Sequence, residues 1–348
     1  MDLSRRKTLA GMGAAFAAML PWQVCAAGED RMSGDLAFVN PELRTAVATM
    51  RDIFGGKPCL TVESIEALRK QAPGDLDPPL PGVPVSKHIV PGSAQNPPVA
   101  VYVVNARSGR ARGGIVYMHG GGYVLGSAAQ DIGTCQKLAA ALDCTVVSVD
   151  YRLAPEARYA ASIEDNYAAL RWAYANARDI GIDPRRIAVM GESAGGGHAA
   201  LLAIAARDRG EIPLCLQCLV YPMLDDRTGT THTVPAHIGT LGWTAKTNRF
   251  GWQAFLGREP GDPGIADGVP GRDESLANLP PAWIGVGALD LFVQEDIAFA
   301  ERLITAAVPT ELVVVPGAFH AFQHLAPDSR VAKTFTSSML TSLKMALG

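Results

Sequence analysis

From residue 85 onward the chain alternates short apolar runs with longer stretches whose apolar positions recur every three or four residues. Residues 114–118 (Gly-Ile-Val-Tyr-Met), 145–149, 186–190, 214–221, 282–287 and 311–315 each read as a buried strand. Residues 128–142, 162–177, 194–207, 291–306 and 330–347 read as helices between these strands and after the last one. Two earlier apolar runs, 85–90 and 99–104, are separated by a Pro/Gly/Asn turn, which predicts antiparallel pairing where the domain opens. The pattern predicts an α/β fold, a mostly parallel sheet with helices on both faces, whose ligands sit at the carboxyl ends of the strands.

Two stretches break that rhythm. Residues 41–54 and 61–71 have helical spacing, with Leu43, Val47 and Met50 recurring in the first and Ile65 and Leu68 in the second, and a Pro/Gly-rich connector over 72–84 follows. Residues 225–279 are inserted between two core strands, carry Trp243, Phe250, Trp252 and Phe255, and hold one helical run at 245–256. Two lid pieces are therefore expected, at about 35–80 and 225–280, folded over the ends of the strands.

The sharpest chemical signal is Gly191-Glu192-Ser193-Ala194-Gly195, where the strand 186–190 stops and the next helix starts. Glycine two residues to either side of Ser193 fits a nucleophile elbow, a turn that strains the serine backbone and presents the hydroxyl beside the amide of Ala194. A serine needs a base and an orienting acid. Among seven histidines, His320 follows the strand 311–315 in a loop that can swing its imidazole over the sheet end, with His324 as the nearby competitor. His88, His198, His232 and His237 lack that setting. Asp290 closes the strand 282–287 on the same sheet edge, whereas Glu295 and Asp296 read as solvated charges on the following helix. His119-Gly120-Gly121-Gly122 follows another strand, and consecutive glycines let backbone amides face a cavity where negative charge can develop. The same loop lacks the Lys-Ser/Thr of a phosphate loop and the spacing of a dinucleotide fingerprint, so no cofactor is expected, and no metal-ligand cluster stands out.

Several of these stretches share one source. His119 to Gly122 with Gly126, the run Asp150-Tyr151-Arg152-Leu153-Ala154-Pro155-Glu156, the elbow, Tyr221-Pro222-Met223-Leu224-Asp225, Asp290 and Gly317-Ala318-Phe319-His320 together resemble the hormone-sensitive-lipase-like family of α/β-hydrolases, from about Pro41 to the C-terminus. The resemblance implies that Ser193 is the nucleophile, His320 the base and Asp290 the orienting acid. It also implies an oxyanion hole from the amides of Gly121, Gly122 and Ala194, a buttress for that loop in residues 150–156, and a two-piece helical cap. The implied activity is hydrolysis of small-molecule carboxylic esters through an acyl-enzyme, without a cofactor. The chain departs from the family at Glu192, where many members have Asp, and at His198, on a helix that tends to be apolar there. An amidase or formamidase with the same triad is the catalytic alternative. A non-catalytic, receptor-like binding protein is the other class, and the presence of Ser193, Asp290 and His320 speaks against it.

Composition adds bounds rather than chemistry. The chain has 348 residues, 48% of them hydrophobic, and a net charge of −3, so it can bury a large core and carries no electrostatic footprint for nucleic acid. Residues 1–27 differ: Arg5, Arg6 and Lys7 precede an apolar run at 9–20, and the small-residue end Cys25-Ala26-Ala27 follows. They read as an export signal of the twin-arginine type, with the general secretory route as the alternative, ahead of a hydrolase domain over 28–348. The expected location is the periplasm or beyond, with no stable membrane insertion after cleavage; a homodimer is compatible with the sequence. Cleavage would leave five of the six cysteines, an odd number that argues against a full disulfide framework. Cys215 and Cys218 have metal-knuckle spacing but lie in an apolar strand with no second pair, so core packing is expected. Replacing Arg5 and Arg6 by Lys is expected to leave uncleaved precursor in the cytoplasm of a host with a twin-arginine pathway, read by fractionation and blotting. Unchanged export would assign the signal to the general route.

Overall fold

The computed structural model describes residues 36–54, 60–71, 79–93, 95–264 and 266–348. The signal-like segment 1–27, with Cys25, and Cys59 lie outside the described residues. Eight strands follow in chain order: β1 (Val85–Val90), β2 (Val99–Val104), β3 (Arg112–Met118), β4 (Thr145–Asp150), β5 (Ile182–Glu192), β6 (Leu216–Val220), β7 (Ala282–Gly287) and β8 (Thr310–Val315). They form one sheet in the order β1-β2-β4-β3-β5-β6-β7-β8. The pairs β1/β2 and β2/β4 are antiparallel and the other five are parallel. The single order reversal brings β3 and β5 side by side, so the loops after both strands leave the same sheet edge.

Alternation along the strands supplies two cores. Val116 and Met118 of β3 face one layer, with Val147, Val189 and Ile284, and Ile115 and Tyr117 face the other, with Val146, Met190 and Cys218. The first layer is covered by α4 (Tyr159–Ala175), α6 (Ala194–Arg209) and α8 (Val293–Thr305); a short turn, α5 (Ala177–Ile180), adds Ala177 and Ile180. The second is covered by α1 (Arg44–Phe54), α3 (Ile132–Leu142) and α10 (Arg330–Leu347). Cys218 is wholly buried on β6 and Cys215 half-buried, both as free thiols whose pKa burial raises, which keeps them un-ionised. Among the described residues no helix is long and apolar enough to cross a membrane.

The observed elements follow the expected ones with local shifts. Strand β5 begins at Ile182, earlier than the apolar run at 186, because Ile182 pairs with Arg112 before a register shift resumes at Gly114 and Ile187. Helix α3 starts at Ile132 after a 3-10 turn over Ala128–Asp131, whose Ala128 amide donates to the Asp150 carboxylate at 3.0 Å.

The first irregular stretch divides: Val39, Leu43, Val47 and Met50, in and before α1, join the second core against the sheet, and only its later helix packs with the insertion. Leu60, Ile65 and Leu68, in and just before α2 (Val62–Gln71), share a third core with Trp243, Trp252 and Phe255 of the inserted stretch and with Tyr123 to Leu125. Arg69 fastens α2 below: its Nε donates to the Val124 carbonyl at 2.8 Å and its Nη2 to the Ala154 carbonyl at 2.6 Å. In the insertion, Thr244 and Thr247 form a capping box that starts α7 (Ala245–Leu256), and left-handed Gly257 ends it. The insertion is pinned by a buried ion pair, Arg272 to Asp226 at 3.1 Å, with the Gly261 amide donating to the same carboxylate at 2.7 Å. Phe38 stacks on His237 at 5.3 Å, so the two pieces also touch each other.

His198 of α6 ends up in this third region, 1% exposed. Its ring meets Tyr151 at 4.4 Å, Tyr123 at 5.1 Å and Phe255 at 5.3 Å, and among the described residues neither ring nitrogen has a hydrogen-bond partner. Burial, with His119 nearby, lowers its pKa from 6.5 to about 3. The unfolded chain therefore takes up a proton as pH falls below 6.5, while the folded chain refuses it until about pH 3. Stability is full above pH 6.5 and erodes between these limits. Relative to His198→Leu, the wild-type protein is expected to lose an additional ~2 kcal/mol of unfolding free energy between pH 7.5 and 4.5. Urea melts at the two pH values measure this, and identical losses would refute it.

Candidate active site

The elbow forms because glycine stands where no other residue fits. Ser193 adopts φ +58°, ψ −121°. A Cβ on Gly191 would lie 2.2 Å from the Gly195 carbonyl oxygen, and one on Gly195 would lie 2.1 Å from that of Met118. The strand-to-helix turn thus closes directly against the end of β3. Ser193 is 7% exposed, with its side chain at the head of α6.

The other two expected residues reach it from the ends of β7 and β8, beyond β6 on the same edge of the sheet. His320 Nε2 lies 3.0 Å from Ser193 Oγ, and His320 Nδ1 lies 2.8 Å from Asp290 Oδ2. Asp290 is wholly buried, and its Oδ1 accepts the Phe292 amide at 3.1 Å, which fixes the carboxylate as an acceptor. The proton between the pair then belongs on Nδ1, leaving Nε2 free to take one from the serine hydroxyl. Phe292 and Tyr221 hold the imidazole from its sides, at 5.4 Å and 4.7 Å between ring centres.

The glycine loop lies beside this row. Gly121 (φ +123°) and Gly122 (φ +59°) take backbone angles that side chains resist, and the Gly121 carbonyl is turned away to accept from Val124 and Leu125. Among the described residues the amides of Gly121 and Gly122 have no acceptor, and the Ala194 amide opens α6 as an unpaired first-turn donor. The segment after β4 supports the loop from below. Tyr151 stacks on His119 at 4.2 Å and donates to its carbonyl at 2.6 Å, and the Ala154 amide donates to the Tyr123 carbonyl at 3.0 Å. The insertion roofs it: a Cβ on Gly122 would lie 2.1 Å from the Trp243 ring, and Gly251 of α7 packs on the Gly122 carbonyl.

One sequence expectation needs correction. Glu295 and Asp296 are not solvated: they are 6% and 0% exposed, because α8 turns both toward the sheet end. Glu295 accepts the Leu224 amide at 2.7 Å and the Asp225 amide at 3.3 Å, so it caps the chain leaving β6. Both Asp296 oxygens lack a partner among the described residues. Burial, followed by the charges of Glu295 and Asp290, pushes the Asp296 carboxyl well above the carboxylate range, so it is held neutral. His324, the competitor to His320, pairs with Glu192 at 2.6 Å instead of approaching Ser193, which leaves the position at the serine to His320. Neither that pair nor the Tyr221 hydroxyl, which donates to Glu192 at 2.6 Å, was foreseen from the sequence.

Residues 115–324 match the family described as alpha/beta hydrolase fold. Esterase LipI of Mycobacterium tuberculosis is 39% identical over 67% of this chain and 72% of its own length. Carboxylesterase NlhH of the same species is 37% identical over 67% of this chain and 73% of its own. The solved structure of a bacterial heroin esterase superposes with a TM-score of 0.79 at 31% identity, covering 90% of this chain and 99% of that one. The chain is an α/β-hydrolase, and it belongs to the hormone-sensitive-lipase-like family of that fold.

The geometry ranks the buried acids. Asp290→Asn is expected to lower kcat for p-nitrophenyl acetate by about three to four powers of ten, because the imidazole loses its acceptor. Asp296→Asn replaces one neutral group by another and is expected to stay within about threefold of wild type. The reverse ranking in a steady-state assay would move the orienting role to Asp296.

Proposed function

We propose that this chain is a serine carboxylesterase for small-molecule esters with short acyl chains. The observation that carries the reading is the continuous row from Ser193 Oγ through His320 to Asp290, next to amides of Gly121 and Gly122 that have no acceptor among the described residues. In this reading Ser193 attacks the ester carbonyl while His320 takes its proton and then passes it to the departing alcohol. Asp290 steadies the imidazolium, and the amides of Gly121, Gly122 and Ala194 bind the oxyanion. Water, activated by the same histidine, releases the acid from Ser193. The esterase names of the relatives agree with this assignment. An amidase would use the same row, and no feature of the site favours it.

The acyl preference rests on the roof. Trp243 lies against Gly122, and Phe255 stacks on Tyr123 at 3.8 Å, so aromatic rings close the space above the oxyanion loop at short range. We further propose export through the segment 1–27, on its three-part signal pattern.

Each methylene buried beside Ser193 adds roughly 0.8 kcal/mol until the pocket ends. kcat/KM for p-nitrophenyl esters from C2 to C16 is expected to peak between acetyl and about hexanoyl, and Ser193→Ala is expected to remove it by several powers of ten. A maximum at C12 or longer, or activation by an oil interface, would contradict the closed roof.

A further inference from the structure

Ser193 and His320 reach the site on different loops, the first between β5 and α6 and the second after β8. One ion pair spans those loops away from the reacting atoms. Glu192, directly before Ser193, places Oε2 2.6 Å from Nε2 of His324, which is one helical turn past His320 in α9 (Phe322–Leu325). The same carboxylate oxygen accepts the Tyr221 hydroxyl at 2.6 Å. Gln323 donates to that hydroxyl at 2.5 Å, and the Tyr221 ring lies against His320 at 4.7 Å. The two residues that flank the reacting pair in sequence are thus joined to each other, with the tyrosine wedged between them and the imidazole.

We infer that Glu192 and His324 are positioning residues: their ion pair fixes the spacing between the elbow and the loop of His320 and keeps the charge beside His320 balanced. The inference rests on the esterase reading above. Burial disfavours charge on Glu192, but His324 and the bonds from His324 and Tyr221 outweigh it and hold the carboxyl below its usual range. Burial likewise works against a charged His324, but Glu192, and then Asp131, outweigh it and raise its pKa. The other titratable groups around the pair are Lys137 on α3, Asp131, whose carboxyl burial and Glu192 push up to about 7, Tyr117, which donates to Asp131 at 3.1 Å, and the buried thiols of Cys135 on α3 and Cys218 on β6, both kept neutral by burial with Glu192 adding to it. Glu192 also interacts with His320 itself. Removing the His324 charge alone leaves a net negative charge beside His320 and favours the protonated imidazole. Removing both charges restores the balance.

The test compares wild type, His324→Gln and the double variant Glu192→Gln/His324→Gln, using p-nitrophenyl acetate from pH 5 to 10 and a thermal melt of each protein. His324→Gln keeps a donor of similar reach and is half-exposed, so its fold is expected to survive. The expected result is a loss of about tenfold in kcat with KM within about twofold, because a small misplacement of the base is felt in the chemical step. The acid limb of kcat/KM is expected to move up by about half a pH unit in His324→Gln and to return to the wild-type position in the double variant. An acid limb that stays in place in the single variant, a loss confined to KM, or a loss that merely follows the melting temperature would overturn the inference. A wild-type protein that hydrolyses no ester would instead overturn the esterase reading, and this inference with it.

Discussion

The strained backbone of Ser193 is the constraint around which the rest of the structure is arranged. A non-glycine residue at φ +58°, ψ −121° costs about 1–3 kcal/mol and persists only where its surroundings over-determine it. Here they do. The Ser193 amide donates to the Val220 carbonyl at 2.9 Å, and the Ser193 carbonyl accepts from Gly197 and Met223 at 3.0 Å each. Strand β6 and its exit loop therefore clamp the turn from one side, while the bare α-carbons of Gly191 and Gly195 let it close against β3 on the other. The glycine loop after β3 inherits its position from that closure, since Gly120 sits within contact distance of the Glu192 carbonyl. The parallel order β3-β5-β6-β7-β8 then delivers the glycine loop, the serine, the acid and the base to one edge.

Around this edge the chain manages buried charge in two ways. Groups that need to be charged are given donors: Asp290 has the Phe292 amide and His320, and Glu192 has Tyr221 and His324. Groups without partners are held neutral, as with Asp296 on α8 and His198 on α6. An unpaired charge in either place would cost several kcal/mol, far more than keeping the neutral form. The same burial that makes His198 a liability in acid packs its ring against Tyr123, Tyr151 and Phe255 under the glycine loop.

Much of this was legible from the chain because the signals are local. The strand rhythm, the elbow, the glycine loop and the loop settings of Asp290 and His320 each occupy a few consecutive residues, and the order of the strands brings them together. Pairings between distant residues were not legible. His324 and Glu192 are 132 positions apart, and nothing near either one names the other. Asp296 is a different case, because the signal was present. Val293, Asp296, Phe299, Ala300 and Leu303 recur at helical spacing, which places Asp296 on the face that packs inward, and its charge type alone made it read as solvated. The contact of Trp243 with Gly122 was readable only as aromatic content in an insertion, since its depth depends on where the capping box at Thr244 starts α7.

On the proposed esterase reading, His320, aligned by Asp290, makes Ser193 the reactive nucleophile of this chain. Mass spectrometry after treatment with diethyl p-nitrophenyl phosphate tests it most directly. One diethylphosphoryl group per chain is expected, located on the peptide containing Ser193, formed slowly in Asp290→Asn and absent in Ser193→Ala. A phosphorylated residue other than Ser193, or no adduct on the folded wild-type protein, would contradict it.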